Sequence, residues 1–229
     1  MHILLIIGLL LLLVLGPQWW ARYTFRRHAQ ALPRIPGTGG ELARHLLDRF
    51  GMQDVQVEMT GQGSDHYDPD SRTVRLGPDN HDQNSLTAIA VAAHEVGHAI
   101  QHQRNERKLV LRQRLVKLSR LTQQLGAGAM FLIPVAVAVT RAPSAGMLLA
   151  AIGLGSMASA TLVHLLTLPV ELDASYRKAL PILKAGAYIQ PDDEAAVRRV
   201  LGAAAFTYVA GSLASLLNLA RWLAFLRRA

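Results

Sequence analysis

The chain has 229 residues, 51% of them hydrophobic, and 24 Lys and Arg against 16 Asp and Glu give it a formal charge of +8. That apolar share is high for a protein living wholly in water, and it places part of the chain in lipid. No cysteine is present, which excludes a disulfide framework and a thiolate metal site, so any metal ion must be held by His, Asp or Glu.

Residues Ile3 to Leu15 are almost unbroken Leu, Ile and Val, and with Gly16 to Trp20 they approach the roughly 20 residues that cross a bilayer. The Trp19-Trp20 pair suits the membrane interface. Only Met1 and His2 precede the apolar run, and no small-x-small site precedes the basic cluster after it. The spacing therefore predicts an uncleaved anchor over residues 1–20 rather than a signal peptide. In the region 21–120, Thr38 and Glu41 stand in capping-box spacing before a helix with apolar Leu42, Leu46, Leu47 and Phe50. Val55 to Met59 alternates as a strand does, Thr73 to Leu76 is a second strand, and HYD in the turn-rich GQGSDHYDPDS between them is a third extended piece. Asn84 or Ser85 then caps a helix carrying AVAAHEVGHAIQH, Ala90 to His102.

Leu121 to Thr140 and Ala145 to Leu168 read as two further spans joined by RAPSAG, a transmembrane hairpin over 121–168. Residues 169–199 form a polar segment. In 200–229, the alanine-rich Val200 to Leu219 is either a fourth span or an interfacial helix, and the span is favoured. Basic residues flank these spans unevenly. Arg22, Arg26, Arg27 and Arg34 follow the first, Arg107, Lys108, Arg112, Arg114, Lys117 and Arg120 precede the second, and Arg177, Lys178, Lys184, Arg198 and Arg199 follow the third, while the hairpin turn carries only Arg141. The positive-inside rule makes 21–120 and 169–199 cytoplasmic. It also accounts for the net charge, so no nucleic-acid partner is required. Arg227 and Arg228 dissent, because four spans would put them outside.

His94 and His98 stand four apart, so both imidazoles leave one helix face at a separation that suits a single ion. Glu95 lies beside them without being a ligand. In this HExxH arrangement zinc acidifies water and the glutamate takes the proton as general base. The competing reading is a core helix that matches by chance. Against it, His and Glu are costly to bury unpaired, yet their neighbours all call for burial. A catalytic zinc needs a third protein ligand. His102 sits about 12 Å along the helix from His94, too far to share an ion with it. Glu171 and Asp173, in LPVELDASYRKAL, begin where the third span ends on the same membrane face. On one helix they point about 200° apart, so only one can face the histidines, and Glu171 has the longer reach. The bland reading of Glu171 is a carboxylate at a helix start.

These motifs resemble the YugP-type bacterial membrane zinc metallopeptidases over nearly the whole chain: an N-terminal anchor, TGGELARHLLD, SDHYDPDSRTVRL, AVAAHEVGHAIQH, a transmembrane hairpin and PVELDAS. The resemblance implies an integral membrane zinc metallopeptidase with His94 and His98 as ligands, Glu95 as base and Glu171 as third ligand. PVELDAS is also similar to the E-x-x-A-D pattern of HtpX-like proteases, but Ser175 stands here in place of their Asp. Two readings stay open for Asp65, His66, Tyr67 and Asp68. They flank the cleft, offering backbone or an oxyanion donor to substrate, or Asp68-Pro69 simply makes an Asx turn.

The expected fold is mainly α, a multi-span helical membrane protein with a small cytoplasmic α+β zincin-like unit. The expected function is a zinc metalloendopeptidase of the bacterial cytoplasmic membrane, acting at its cytoplasmic face on peptide or membrane-protein substrates. The alternative is a non-catalytic, zinc-stabilised membrane adaptor or regulator. Asp173 joins His66, Tyr67 and Asp68 as a residue that touches substrate or orients a ligand.

Overall fold

A helix with almost no polar face is stable only at the centre of a core. In the computed structural model, which describes residues 2–206, 209 and 211, the helix Leu86–Gln103 meets that condition, being buried from Leu86 to Gln101 except at Val91. We number the elements in chain order and this helix is α4. Before it come α1 (His2–Arg27), α2 (Gly39–Arg49), the strands β1 (Gln56–Met59), β2 (His66–Asp68) and β3 (Thr73–Leu76), and the short α3 (Pro78–His81). After it come α5 (Arg107–Thr140), α6 (Pro143–Leu172), a π-helical segment Asp173–Ala179 and α7 (Leu180–Ala185). Residues 194–206 are also helical. The described chain is mainly helical with one small sheet.

Two units emerge. One is built from Leu15–Leu109 and Pro169–Thr207, and the other includes Val110–Leu168. In the first, the ends of α2 follow from sequence. Thr38 Oγ1 accepts from the Glu41 N–H while a Glu41 carboxylate oxygen accepts from the Thr38 N–H at 2.8 Å, so the capping box forms. At the other end Gly51 takes φ +71°, and the N–H groups of Gly51 and Met52 donate to the carbonyls of Asp48 and Leu47. Only glycine adopts that turn without cost. The buried face of α2 (Leu42, Leu46, Leu47) packs with Met52, Val55, Val74 and Leu76, with Ile89, Ala93, Val96 and Ile100 of α4, and with Leu183, Val197 and Leu201. Each fully buried Leu contributes about 1.5–3 kcal/mol against an exposed reference.

The sheet runs β1-β3-β2, with β1 parallel and β2 antiparallel to β3, so β2 is an edge. Ser85, the second of the two expected caps, starts α4 by accepting from the Ala88 N–H at 3.1 Å. The turn α3 was not foreseen from sequence; Pro78 at its first position sets the required φ.

In the other unit α5 bends by 45° between Arg107–Ala129 and Phe131–Thr140. Pro134 explains this, since its ring cannot bond and clashes one turn back, at residue 130. Small residues let α5 and α6 meet closely: a Cβ on Gly126 would fall 2.1 Å from Ser156 Oγ, and the Thr122 and Ser159 hydroxyls lie 3.0 Å apart. Among the described residues no single helix is long and apolar enough to cross a membrane. The two arms of α5 together have the length and composition of a broken span. Large apolar side chains stand exposed here, Phe131 at 81%, Val139 at 77% and Met147 at 72%. Most of the expected fourth span, with Arg227 and Arg228, lies outside the described residues.

Candidate metal centre

His94 and His98 leave one face of α4 and meet Glu171 at the end of α6. Glu171 Oε2 lies 3.2 Å from Nε2 of each imidazole, and one donor atom from each residue fits within 4.8 Å of the others. All three are buried, Glu171 at 1% exposure. Two local features bring the helices this close. Gly97 has no side chain where the chain after Glu171 passes: a Cβ there would lie 3.0 Å from the Ala174 carbonyl oxygen. The helix then widens from α to π, closing Leu180 N–H onto Ser175 O. Such π segments recur at functional sites. The widening keeps Glu171, Asp173 and Ser175 all in contact with α4. Glu171 and Asp173, expected about 200° apart on a helix, face different groups, Glu171 the two imidazoles and Asp173 the Gln101 amide.

The hydrogen-bond network tests whether an ion fits. Gln101 Nε2 donates to the Val170 carbonyl at 3.0 Å and to Asp173 Oδ2 at 2.8 Å, both pure acceptors. Its amide oxygen therefore faces His98 Nδ1 at 2.9 Å, and His98 Nδ1–H donates to it. The neutral His98 ring is left with a lone pair on Nε2, aimed at a carboxylate oxygen. Two acceptors at that distance repel unless positive charge lies between them. His94 Nδ1 lies 3.0 Å from Ser175 Oγ, and that hydroxyl accepts from Nδ1–H when the His94 Nε2 lone pair is used in the same way. The 3.2 Å edges match the roughly 3.4 Å edge of a tetrahedron with zinc-like bonds of about 2.1 Å. Two imidazoles and a carboxylate without sulfur are a donor set that zinc accepts.

Charge in the centre is consistent with this. Burial acts to raise Glu171, but positive charge on the facing His98 and hydrogen bonds from both imidazoles hold its carboxyl well below the usual range; protons on the two Nε2 atoms supply that charge, and an ion held by neutral rings would replace them. Glu95, also on α4, is pushed up to about 7 by burial; His94 acts against that rise and Glu171 with it, and the Tyr67 N–H donates to its carboxylate. Asp173 is lowered despite partial burial, by hydrogen bonds from Lys178 and Gln101.

The other expected residues are placed as follows. His66 is exposed, with its Nδ1 at the Ser64 carbonyl. Tyr67 sends its hydroxyl to His102 Nδ1 at 2.8 Å, away from the metal ligands. Asp68 accepts from Ser71, from Arg75 at 2.8 Å and from the Asp70 N–H at 3.0 Å, which is the Asx-turn arrangement. Asp65 holds the Gly77 N–H and the Asn80 amide. A cavity of about 390 Å³ between the 34–37 loop, α2 and the 187–190 loop is lined by none of His94, Glu95, His98 or Glu171. Sequence reasoning missed Gln101; the signal was a polar residue directly after the apolar Ala99 and Ile100, three positions after a ligand.

Comparison with known proteins agrees with this centre. The family described as “Putative neutral zinc metallopeptidase” matches residues 3–227. A Bacillus subtilis (strain 168) protein named “Putative membrane protease YugP” is 38% identical over 218 residues, covering 91% of each chain. No solved structure matches. With a match over nearly its whole length and a His-His-Glu group in place, the chain belongs to the family of “putative neutral zinc metallopeptidases”.

Proposed function

We propose that the protein is a zinc metalloendopeptidase of the bacterial cytoplasmic membrane, cutting peptide bonds of membrane-associated proteins at the cytoplasmic face. The observation that carries this reading is the meeting of His94, His98 and Glu171 with a buried glutamate, Glu95, next to the first ligand. His94 and His98 Nε2 and Glu171 Oε2 would hold the ion. Bound there, zinc supplies Lewis acidity, lowering the pKa of water and polarising a scissile carbonyl.

The rest falls to this chain's own groups. Glu95 takes the proton of the attacking water on its carboxylate and returns it to the leaving amine. Burial, by lifting its pKa towards neutrality, makes that exchange close to balanced. The Tyr67 N–H, donating to the same carboxylate, holds it in place. His98 and His94 are oriented by Gln101 and Ser175. The strand β2 is an open edge beside Glu95 and offers backbone groups to an extended peptide. A structural zinc site has no use for a base in that place, which disfavours the adaptor reading. The exposed apolar side chains of α5 and α6 and the name of the Bacillus relative support a lipid setting.

Glu95→Gln tests the reading. The amide cannot accept the proton, so zinc content stays near wild type while cleavage of a casein-type or membrane-protein substrate falls about 10²–10⁴-fold. Undiminished cleavage by Glu95→Gln would remove the mechanism.

A further inference from the structure

Behind His98 a chain of polar side chains leads away from the centre. Lys178 is 8% exposed, and its ammonium is paired with Asp173 Oδ2 and with Glu106 Oε1 at 2.9 Å. Asp173 accepts from Gln101 Nε2 at 2.8 Å, and the amide oxygen of Gln101 accepts from His98 Nδ1–H at 2.9 Å. Gln101 is itself 1% exposed. A buried primary amide satisfied at both ends is fixed in one orientation. Here two acceptors on one side, the Val170 carbonyl and the Asp173 carboxylate, decide which end faces His98.

We propose that Gln101 is the positioning residue of the metal centre: with Asp173 and Lys178 behind it, it locks His98 in the Nδ1–H tautomer, so that Nε2 is presented to the ion before the ion arrives. Resting on the metal-binding reading above, this adds what sets the affinity. Metal-binding histidines commonly lean directly on a carboxylate. In this chain an amide stands between the two, and it does a second task by gripping the Val170 carbonyl. Through that bond the orientation of His98 is tied to the backbone next to Glu171, so ligands from two distant chain segments are set by one side chain. Lys178 pairs with Asp173 and fixes its carboxylate beside the Gln101 amide.

The test is a zinc competition titration against a chelating dye on full-length, detergent-purified protein. Gln101→Met keeps the volume and removes both hydrogen-bonding ends; its zinc affinity falls about 10–100-fold. Asp173→Ala costs less, because the Val170 carbonyl still holds the amide. In zinc-loaded, histidine-labelled wild type, the Nδ1–H of His98 gives a slowly exchanging proton resonance, which a residue with a purely space-filling role would not protect and which Gln101→Met loses. Should Gln101→Met fail to fold, the partly exposed Asp173→Ala and the wild-type proton resonance still decide. Equal affinity in wild type and Gln101→Met, or in a poorly folding case no change in Asp173→Ala, overturns the inference. A His98 Nδ1–H resonance that survives unchanged in Gln101→Met assigns the effect to packing and overturns it too. Zinc binding with these effects but without peptide cleavage removes only the hydrolase reading, and wild type that takes up no zinc removes both.

Discussion

Gly97→Ala separates local from tertiary demands at the centre. In an isolated helix the change gains up to about 1 kcal/mol. In the folded protein the added Cβ would lie 3.0 Å from the Ala174 carbonyl oxygen, 3.4 Å from its Cα and 3.5 Å from its carbonyl carbon. All three are backbone atoms, which yield only if the π-helical segment moves by a few tenths of an ångström. Overpacking of that kind costs about 1–3 kcal/mol, so the net change is a loss of about 1 kcal/mol, or roughly 2–4 °C in melting temperature for a chain of this length. Ala174 lies between Glu171 and Ser175, which touch His94 from the same segment. The shift therefore reaches the ligands, and zinc affinity should drop about tenfold, equivalent to about 1.4 kcal/mol. Thermal melts with and without zinc, together with dye competition, read both effects. Gly155→Ala, where no atom lies within 4 Å, should leave zinc affinity unchanged. A Gly97→Ala protein that melts above wild type and binds zinc equally well would refute the close approach of the two helices.

Zinc content after mild chelation should fall sharply in Glu171→Ala and much less in Asp173→Ala, since only Glu171 touches both imidazoles; the opposite ranking would move the ligand. The Asp68 carboxyl is held far below its usual range by hydrogen bonds from Ser71 and Arg75. A depressed carboxyl stabilises the fold above its unfolded pKa of about 3.9 and loses that contribution as pH falls towards the folded value. Asp68→Asn should therefore melt below wild type at pH 7, and the gap should close in acid; a gap independent of pH would place the contribution elsewhere. A reporter active only in the cytoplasm should work when fused after Lys117 or Lys184 and fail within residues 141–144, and the reverse pattern would turn the centre to the other face.

Much of the unit around α4 is legible in sequence because its signals are local. Thr38 with Glu41, Ser85 as a cap, the alternation before Met59 and the four-residue spacing of His94 and His98 each act within one turn or one strand. What the sequence hides is non-local or depends on helix type. The π segment has no pattern distinct from an α-helix in ELDASYRKA, so the placing of Ser175 beside His94 could not be read from spacing. Gln101 looks like any polar residue until the Val170 carbonyl and Asp173 arrive from 69 and 72 positions away. Tyr67 and His102 likewise find each other across 35 positions, a pairing of strand and helix that no single window contains.

The ligands also keep a schedule. Glu171 follows His94 by 77 positions and His98 by 73, with the whole α5–α6 hairpin between them. A ribosome adding about 5–20 residues per second needs roughly 4–15 s to travel from His98 to Glu171. Until it does, the nascent chain carries the two imidazoles and Glu95 but not the carboxylate that meets them, and a fragment ending before Glu171 stays in that condition permanently. The order of the chain thus acts as a built-in delay: the His-His-Glu group is complete only after the hairpin has been synthesised, and an interrupted translation product lacks it.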